Sequence, residues 1–209
     1  MATQLSIIGS GNMARGIGTR MVAAGLSPRI YSDQAEQAAA LAQELGAQAA
    51  SLEEVLEAEI VVLATPYEAS LALAERLAEQ LAGKIVIDIS NPLNASFDGL
   101  VTAPGTSAAE TIAQAAPKAT VVKAFNTTFA GTLVAGEVAG QTLDVFLAGD
   151  DEAAKERVAA IVRAGGLTVT DAGALSRAQQ LEALGLLGIT LQFRLDTGFG
   201  TAWRLVLPA

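Results

Sequence analysis

Residues 5–18, LSIIGSGNMARGIG, constrain this chain more than any other stretch. They run from an apolar strand through Gly9-x-Gly11-x-x-Ala14 into a helix start, with Gly16 just beyond. Each small residue has a physical task. Gly9 permits the tight turn, Gly11 has no Cβ to hold a diphosphate away from the backbone, and Ala14 or Gly16 lets helix and strand pack closely. Unpaired N–H groups at the helix start, together with the helix dipole, favour an anion there. Glycine-rich turns are common, and an ordinary strand–turn–helix is the alternative. Here both the preceding strand and the following helix are present, so a nucleotide-binding domain is expected.

Apolar strands then alternate with amphipathic helices. Strands are expected at residues 4–8, 28–32, 60–64, 85–89, 120–125, 143–148 and 167–170. Helices are expected at 12–24, 34–45, 51–57, 67–81, 107–116 and 151–164, with one long apolar helix at 175–193. Residues 91–106 read as a loop rich in Pro, Asn and Gly, and 126–142 show no clear element. Uninterrupted apolar strands such as IVVLA imply a parallel sheet covered on both faces. The expected fold is α/β: a Rossmann-like, doubly wound, mostly parallel sheet with a small C-terminal helical extension. Residues 1–170 would form the NAD(P)-binding domain, and 171–209 a helical segment packed on it. Leu181, Leu184, Leu187 and Leu191 recur at helical spacing, and Leu186, Ile189 and Phe193 widen that stripe. A helix so apolar must be covered nearly all round, either as a core element or as a self-association face, and a homodimer is the expected cover for the side the sheet leaves open.

Composition narrows the function classes. With 209 residues, 51% of them hydrophobic, the chain can build one large core. No apolar run approaches the ~18 residues of a membrane span, and no leader-type segment precedes the first strand. A cytoplasmic protein acting away from membranes is expected. There is no Cys and no His, which excludes thiolate chemistry and the commonest metal ligand; no metal site is expected. A net charge of −9 argues against nucleic acid as a partner.

In doubly wound sheets ligands sit at the carboxyl ends of the strands. That rule selects Gly9, Ser10, Gly11, Asn12 and Met13 after the first strand, and Ser32 and Asp33 after the second. It also selects Ala64, Thr65, Pro66 and Tyr67, then Ser90, Asn91 and Pro92, then Asn126, Thr127 and Thr128. Asp33 stands where an acid binds the ribose hydroxyls of NAD, and would repel the 2′-phosphate of NADP; it could equally cap the next helix. Thr65 could cap a helix begun by Pro66, placing that backbone near the nicotinamide ribose. Lys123, in TVVKAF, reads either as an edge-strand lysine or as a cation for an anionic ligand. Asp88 could simply satisfy local backbone. No general-base set stands out, so no catalytic side chain is assigned. A platform without an acid–base pair suits direct hydride transfer between two bound rings.

At GSGNMARG, ATPYEA, ISNPL, VVKAFNTT and DAGALSRAQQLEAL the chain resembles the coenzyme F-420-dependent NADP oxidoreductases, a family that includes the cytoplasmic domains of the STEAP metalloreductases. The resemblance runs over nearly the whole length. It implies a Rossmann-like domain, often dimeric, passing hydride between NADP(H) and a deazaflavin or flavin such as FMN or FAD. It also implies that Ser10, Asn12, Met13, Ser32, Thr65, Pro66 and Asn91 contact the dinucleotide, while the loop after Asn91 and residues 126–129 border the second ring. The family often carries Ser-Arg where this chain has Ser32-Asp33, and some members carry His where this chain has Asn126. GNMAR equally resembles the pyrroline-5-carboxylate reductases, whose SGSGPAY-type motif is absent here. The sequence thus predicts an NAD(P)H-dependent flavin or deazaflavin reductase. The alternatives are a non-catalytic dinucleotide sensor and an imine reductase.

Overall fold

The computed structural model describes residues 4–208, so positions 1–3 and 209 of the two-part division above lie outside it. Six strands lie parallel in one sheet: β1 (Leu5–Ile8), β2 (Arg29–Tyr31), β3 (Gln48–Ala49), β4 (Ile60–Leu63), β5 (Ile85–Asp88) and β6 (Thr120–Lys123), in the order β3-β2-β1-β4-β5-β6. Alternation along these strands divides the core between the two faces. Ile7, Ile60, Val62, Ile87 and Val122 pack on one side, and Ile8, Val61, Leu63, Val86 and Val121 on the other. The first face is covered by α1 (Asn12–Ala23) and α2 (Ala35–Leu45). The second is covered by α3 (Leu52–Val55), α4 (Tyr67–Arg76) and α5 (Ala108–Ala115). This is the expected Rossmann-like arrangement.

The helix boundaries have local causes. Ser51 and Glu54 form a capping box at the start of α3, and the Ser107 hydroxyl accepts from Glu110 N–H at the start of α5. α4 stops at Arg76, short of the expected 81, and the chain reaches β5 through turns ending at Gly83 (φ 74°). β3, a two-residue edge strand, carries too little pattern to be foreseen.

Residues 126–142, expected to lack an element, contain α6 (Ala130–Ala135) and a hairpin of β7 (Glu137–Val138) and β8 (Gln141–Thr142). Fewer than two helical turns give no measurable period. α6 sits on α1 at Gly16, where a Cβ would come within 2.8 Å of Leu133 Cβ and 2.9 Å of the Ala130 carbonyl oxygen. Gly16 therefore serves a helix–helix contact rather than the helix–strand contact read from the fingerprint. β9 (Asp144–Gly149) then joins the sheet antiparallel to β6. After α7 (Glu152–Ala164), β10 (Thr168–Asp171) adds parallel to β9.

The expected helix at 175–193 divides into a 3-10 turn, Leu175–Arg177, and α8 (Ala178–Leu195). Its buried face carries Ala178, Leu181, Glu182, Gly185, Gly188 and Gln192. Of the leucine stripe, Leu181 is buried, Leu184 and Leu191 are half-buried and Leu187 points outward at 48% exposure, so within one chain α8 is not covered all round. No helix among the described residues is long and apolar enough to cross a membrane.

The α1–α6 contact gives a test. Gly16→Ala should destabilise the protein by about 1–3 kcal/mol through overpacking. Gly131→Ala, where a Cβ meets nothing within 4 Å, should stabilise it by about 0.5–1 kcal/mol through the unfolded state. Urea denaturation of both variants checks the difference in sign.

Candidate functional site

The strand order reverses between β1 and β4, and their carboxyl ends open on a common crevice. Gly9 lies there with φ 127°, its N–H donating to the Tyr31 carbonyl at 2.8 Å. A side chain at Gly9 would collide with the Ala64 carbonyl oxygen, so β1 can approach β4 this closely only with glycine. Gly11 is the N-cap of α1 in extended backbone, and a Cβ there would meet nothing within 4 Å. The first turn holds no acid and no capping side chain. The first helical bond is Arg15 N–H to the Gly11 carbonyl, which leaves the N–H groups of Asn12, Met13 and Ala14 without a helical acceptor. This open, donor-rich cradle fits a diphosphate.

Two cavities flank the cradle. The larger, about 910 Å³, is lined by Gly11, Asn12, Met13, Ala64, Thr65, Pro66, Ser90, Asn91, Asn126 and Thr128 among the expected residues. The smaller, about 360 Å³, is lined by Gly9, Ser32, Asp33 and Thr65. Thr65 borders both, so a ligand crossing the cradle passes it. Ser10 joins the turns: its hydroxyl donates to Ser32 Oγ at 3.0 Å. Tyr67, Pro92 and Thr127 line neither cavity. Phe97, in the loop after Asn91 expected to border the second ring, does, and so do Arg76, Val134, Phe193 and Phe199, which sequence reasoning missed. Those four come from helices and the C-terminal tail, away from the strand ends, where no local pattern marks them.

Side-chain detail corrects several expectations. Asp33 does not cap α2: its Oδ1 accepts from the Tyr31 hydroxyl at 2.8 Å, while Ser32 Oγ accepts from Gln34 N–H at 3.2 Å. That hydrogen bond to Asp33 is the main reason the Tyr31 phenol is pushed above its ordinary value, and the nearby Arg76 charge opposes it. Thr65 does not cap α4 either. Pro66 occupies the N-cap, and the Thr65 hydroxyl lies 2.7 Å from Ser70 Oγ. Asn91 and Asn126 grip each other: Asn91 Nδ2 donates to the Asn126 carbonyl at 2.7 Å, and Asn126 Nδ2 donates to Asn91 Oδ1 at 2.9 Å and to the Leu181 carbonyl at 2.8 Å. Two buried oxygens of residues lining this end of the large cavity, Ser90 Oγ and Asn126 Oδ1, have no partner among the described residues. Just before them, Phe125 is fully buried with φ 62°, a strained conformation for a bulky residue that costs about 1–3 kcal/mol. Its carbonyl accepts from Thr128 N–H and Oγ1, at 3.1 and 2.7 Å, closing the turn that carries Asn126.

Lys123 is neither at an edge nor aimed at a ligand. β6 is paired on both sides, and Lys123 is wholly buried. Its Nζ donates to Asp88 Oδ2 and Glu182 Oε1, each at 2.7 Å, and to the Ser90 carbonyl at 2.5 Å. Asp88 also accepts from Ser90 N–H at 3.0 Å, and Glu182 Oε2 from Ala108 N–H at 3.0 Å. One cation thus ties β5, β6, the start of α5 and α8 to the loop carrying Ser90 and Asn91. Burial pushes the Glu182 carboxyl above its ordinary value, with Lys123 opposing the shift.

A doubly wound sheet with a glycine turn and an uncapped helix at its switch point defines a dinucleotide-binding protein. Residues 4–92 match the family model described as NADP oxidoreductase, coenzyme F-420-dependent. The structure of an F-420-dependent NADP-reductase candidate from Arthrobacter sp. FB24 superposes with a TM-score of 0.86 at 30% identity, covering 99% of this chain and 100% of that one. Metalloreductase STEAP3 of Rattus norvegicus is 36% identical over 185 residues, 88% of this chain and 37% of the rat protein. The F-420-dependent NADP reductase of Methanocaldococcus jannaschii is 29% identical over 147 residues, 66% of this chain and 65% of that protein. The chain belongs to the coenzyme F-420-dependent NADP oxidoreductase family. It spans less than two thirds of the length of the rat and archaeal relatives.

Lys123→Met should destabilise the fold by about 3–5 kcal/mol, because two buried carboxylates lose their cation. Glu182→Gln, which leaves Lys123 and Asp88 balanced, should cost less. Because the folded-state value of Glu182 is raised, the stability its proton supplies is full below the ordinary value of 4.5 and is lost as pH rises through the folded value. The native protein should therefore lose stability relative to Glu182→Gln as pH climbs from 4.5, which denaturant midpoints across that range measure.

Proposed function

We propose that this protein is an NAD(P)H-dependent oxidoreductase that passes hydride between NADP(H) and a flavin or deazaflavin ring held in the larger cavity. The observation that carries the reading is the open position over Gly11, set above unpaired helix N–H groups and continuous with an apolar cavity. The cradle at Gly11, Asn12 and Met13 would hold the diphosphate, and the smaller cavity the adenosine end. Thr65 and Pro66 would border the nicotinamide end. The bound dinucleotide supplies or accepts the hydride. The protein aligns the two rings and keeps water from between them. Imine reduction also needs a proton donor at nitrogen, and no Asp, Glu, Lys or Tyr lines the larger cavity among the described residues.

The choice of NADP(H) over NAD(H) rests on family membership and on Arg76. Asp33 alone would repel a 2′-phosphate, but Arg76 stands on the wall of the same cavity and makes no salt bridge among the described residues. A second copy of the chain is the proposed cover for the outward side of α8 and the tail, where Leu187, Leu195, Leu205, Val206 and Leu207 are exposed. Light scattering at micromolar concentration reads this directly, and a monomer would refute it.

Two titrations test the nucleotide site. Gly11→Val should fold normally and weaken NADPH and NADH binding by at least about 2 kcal/mol, through lost N–H contacts to the anion. Unchanged affinity would remove the fingerprint from the site. Arg76→Ala should lower the NADPH-to-NADH affinity ratio about tenfold, and Asp33→Arg should raise it by at least as much, since an Arg–phosphate pair is charge-assisted. A ratio that ignores both changes would show that neither residue faces the 2′ position.

A further inference from the structure

We propose that the larger cavity selects an uncharged, planar redox ring, a quinone or a flavin ring without phosphate, over acceptors that carry anionic tails. The inference rests on the reading of this cavity as the acceptor site and names the chemical class of the acceptor.

Four phenylalanines from separate parts of the chain converge on the cavity. Phe97 comes from the loop after β5, Phe129 from the start of α6, Phe193 from α8 and Phe199 from the tail. Phe97 and Phe193 have ring centroids 6.2 Å apart. Phe129 and Phe193 each meet Phe199 edge to face, at 5.2 and 5.6 Å. These are favourable geometries for aromatic pairs, and such rings offer flat apolar surface to a flat ligand. Phe97 and Phe199 also hold left-handed backbone, φ 58° and 61°, a strain of about 1–3 kcal/mol each that packing elsewhere must offset. Both remain substantially exposed, at 48% and 39%, so burial within the chain does not account for their placement.

The charges point the same way. Arg15 is the single charged residue in the lining among the described residues, and its guanidinium is already 2.9 Å from Glu44. Beside Phe97, Asp98 is held in its ionised form by hydrogen bonds from Asn94 and Ser96. Arg194 follows Phe193 outside the lining, with Asp196 two residues further on. An anionic tail leaving this cavity finds no unpaired cation in the wall and meets a protein of net charge −9. The other polar residues of the lining, Asn12, Thr65, Ser90, Asn91, Asn126 and Thr128, are all uncharged, the kind that hydrogen-bonds a neutral carbonyl or ring N–H. Reduction of such a ring takes one hydride from reduced nicotinamide and one proton from water, leaving oxidised nicotinamide and the dihydro ring.

Riboflavin and FMN share one ring and differ by one phosphate, so their binding isolates the charge. Quenching of flavin fluorescence, measured with and without NADP⁺, should give a Kd for riboflavin at least tenfold below that for FMN, with the gap narrowing as salt is raised. Coenzyme F-420 should bind no better than FMN. Val134→Arg, an exposed lining position, should shift the preference toward FMN by about tenfold, and Phe199→Gly should weaken riboflavin at least tenfold while leaving NADP⁺ binding unchanged. FMN or coenzyme F-420 binding as tightly as riboflavin, or no ring binding at all, overturns the proposal. NADP⁺ titration separates the two readings: FMN or coenzyme F-420 binding as tightly as riboflavin beside bound NADP⁺ defeats only this inference, NADP⁺ binding without any ring defeats both, and ring binding without NADP⁺ defeats the proposed function and leaves the ring preference standing.

Discussion

The ammonium of Lys123, sealed inside the sheet at the carboxyl end of β6, is the contact on which the site's geometry depends. It holds two carboxylates and one carbonyl, and these belong to three different parts of the chain. Asp88 is the last residue of β5, the Ser90 carbonyl begins the loop over the large cavity, and Glu182 lies on the buried face of α8. Buried ion pairs are poor sources of net stability compared with apolar packing. Their value here is positional: only one arrangement of loop and helix satisfies all three acceptors. The Asn91–Asn126 pair repeats the arrangement one layer nearer the ligand, where Gly185 leaves room that any side chain would fill.

The frame was legible in the sequence because its signals are local. The glycines of the first turn, the apolar strands and the capping residues each act within a few positions, and the sheet formed as those patterns require. What could not be read depends on partners far apart in the chain. Lys123 within a strand gives no hint that Glu182 will meet it. Asp33 looks like a cap until Tyr31 takes its carboxylate. α6 is too short to show a period, yet it sets the spacing of α1 through Gly16. The leucines of α8 called for cover nearly all round, but only Leu181 among them turns fully inward, beside Gly185, Gly188, Glu182 and Gln192, because polar anchors and close backbone approach decide the docking. In the site itself, the strand-end residues were found by topology and the segments carrying Phe97 and Phe129 by resemblance, whereas Arg76, Phe193 and Phe199 came from elements that topology alone does not aim.

The two cavities differ in chemistry as well as in size. The smaller is walled by Ser32, Asp33, Gln34 and Arg76, with the Tyr31 hydroxyl, and suits a ligand that is read by hydrogen bonds and charge. The larger is walled mostly by aliphatic and aromatic side chains and suits one recognised by shape and surface. A dinucleotide spanning them would be fixed at its polar end and free to present its ring at the apolar end. Specificity for nucleotide and for acceptor could then change separately, since among the described residues only Thr65 borders both.

Trp203 is the sole tryptophan of the chain, and its indole Nε1 lies where a side chain at Gly188 would begin, 2.9 Å from that Cβ position. The half-buried indole is therefore seated on α8 by the tail that also brings Phe199 to the cavity. Any lifting of that tail would expose the indole to water and redden its emission. The protein thus carries an intrinsic optical reporter on the movement of one wall of its own cavity, readable by selective excitation without a label.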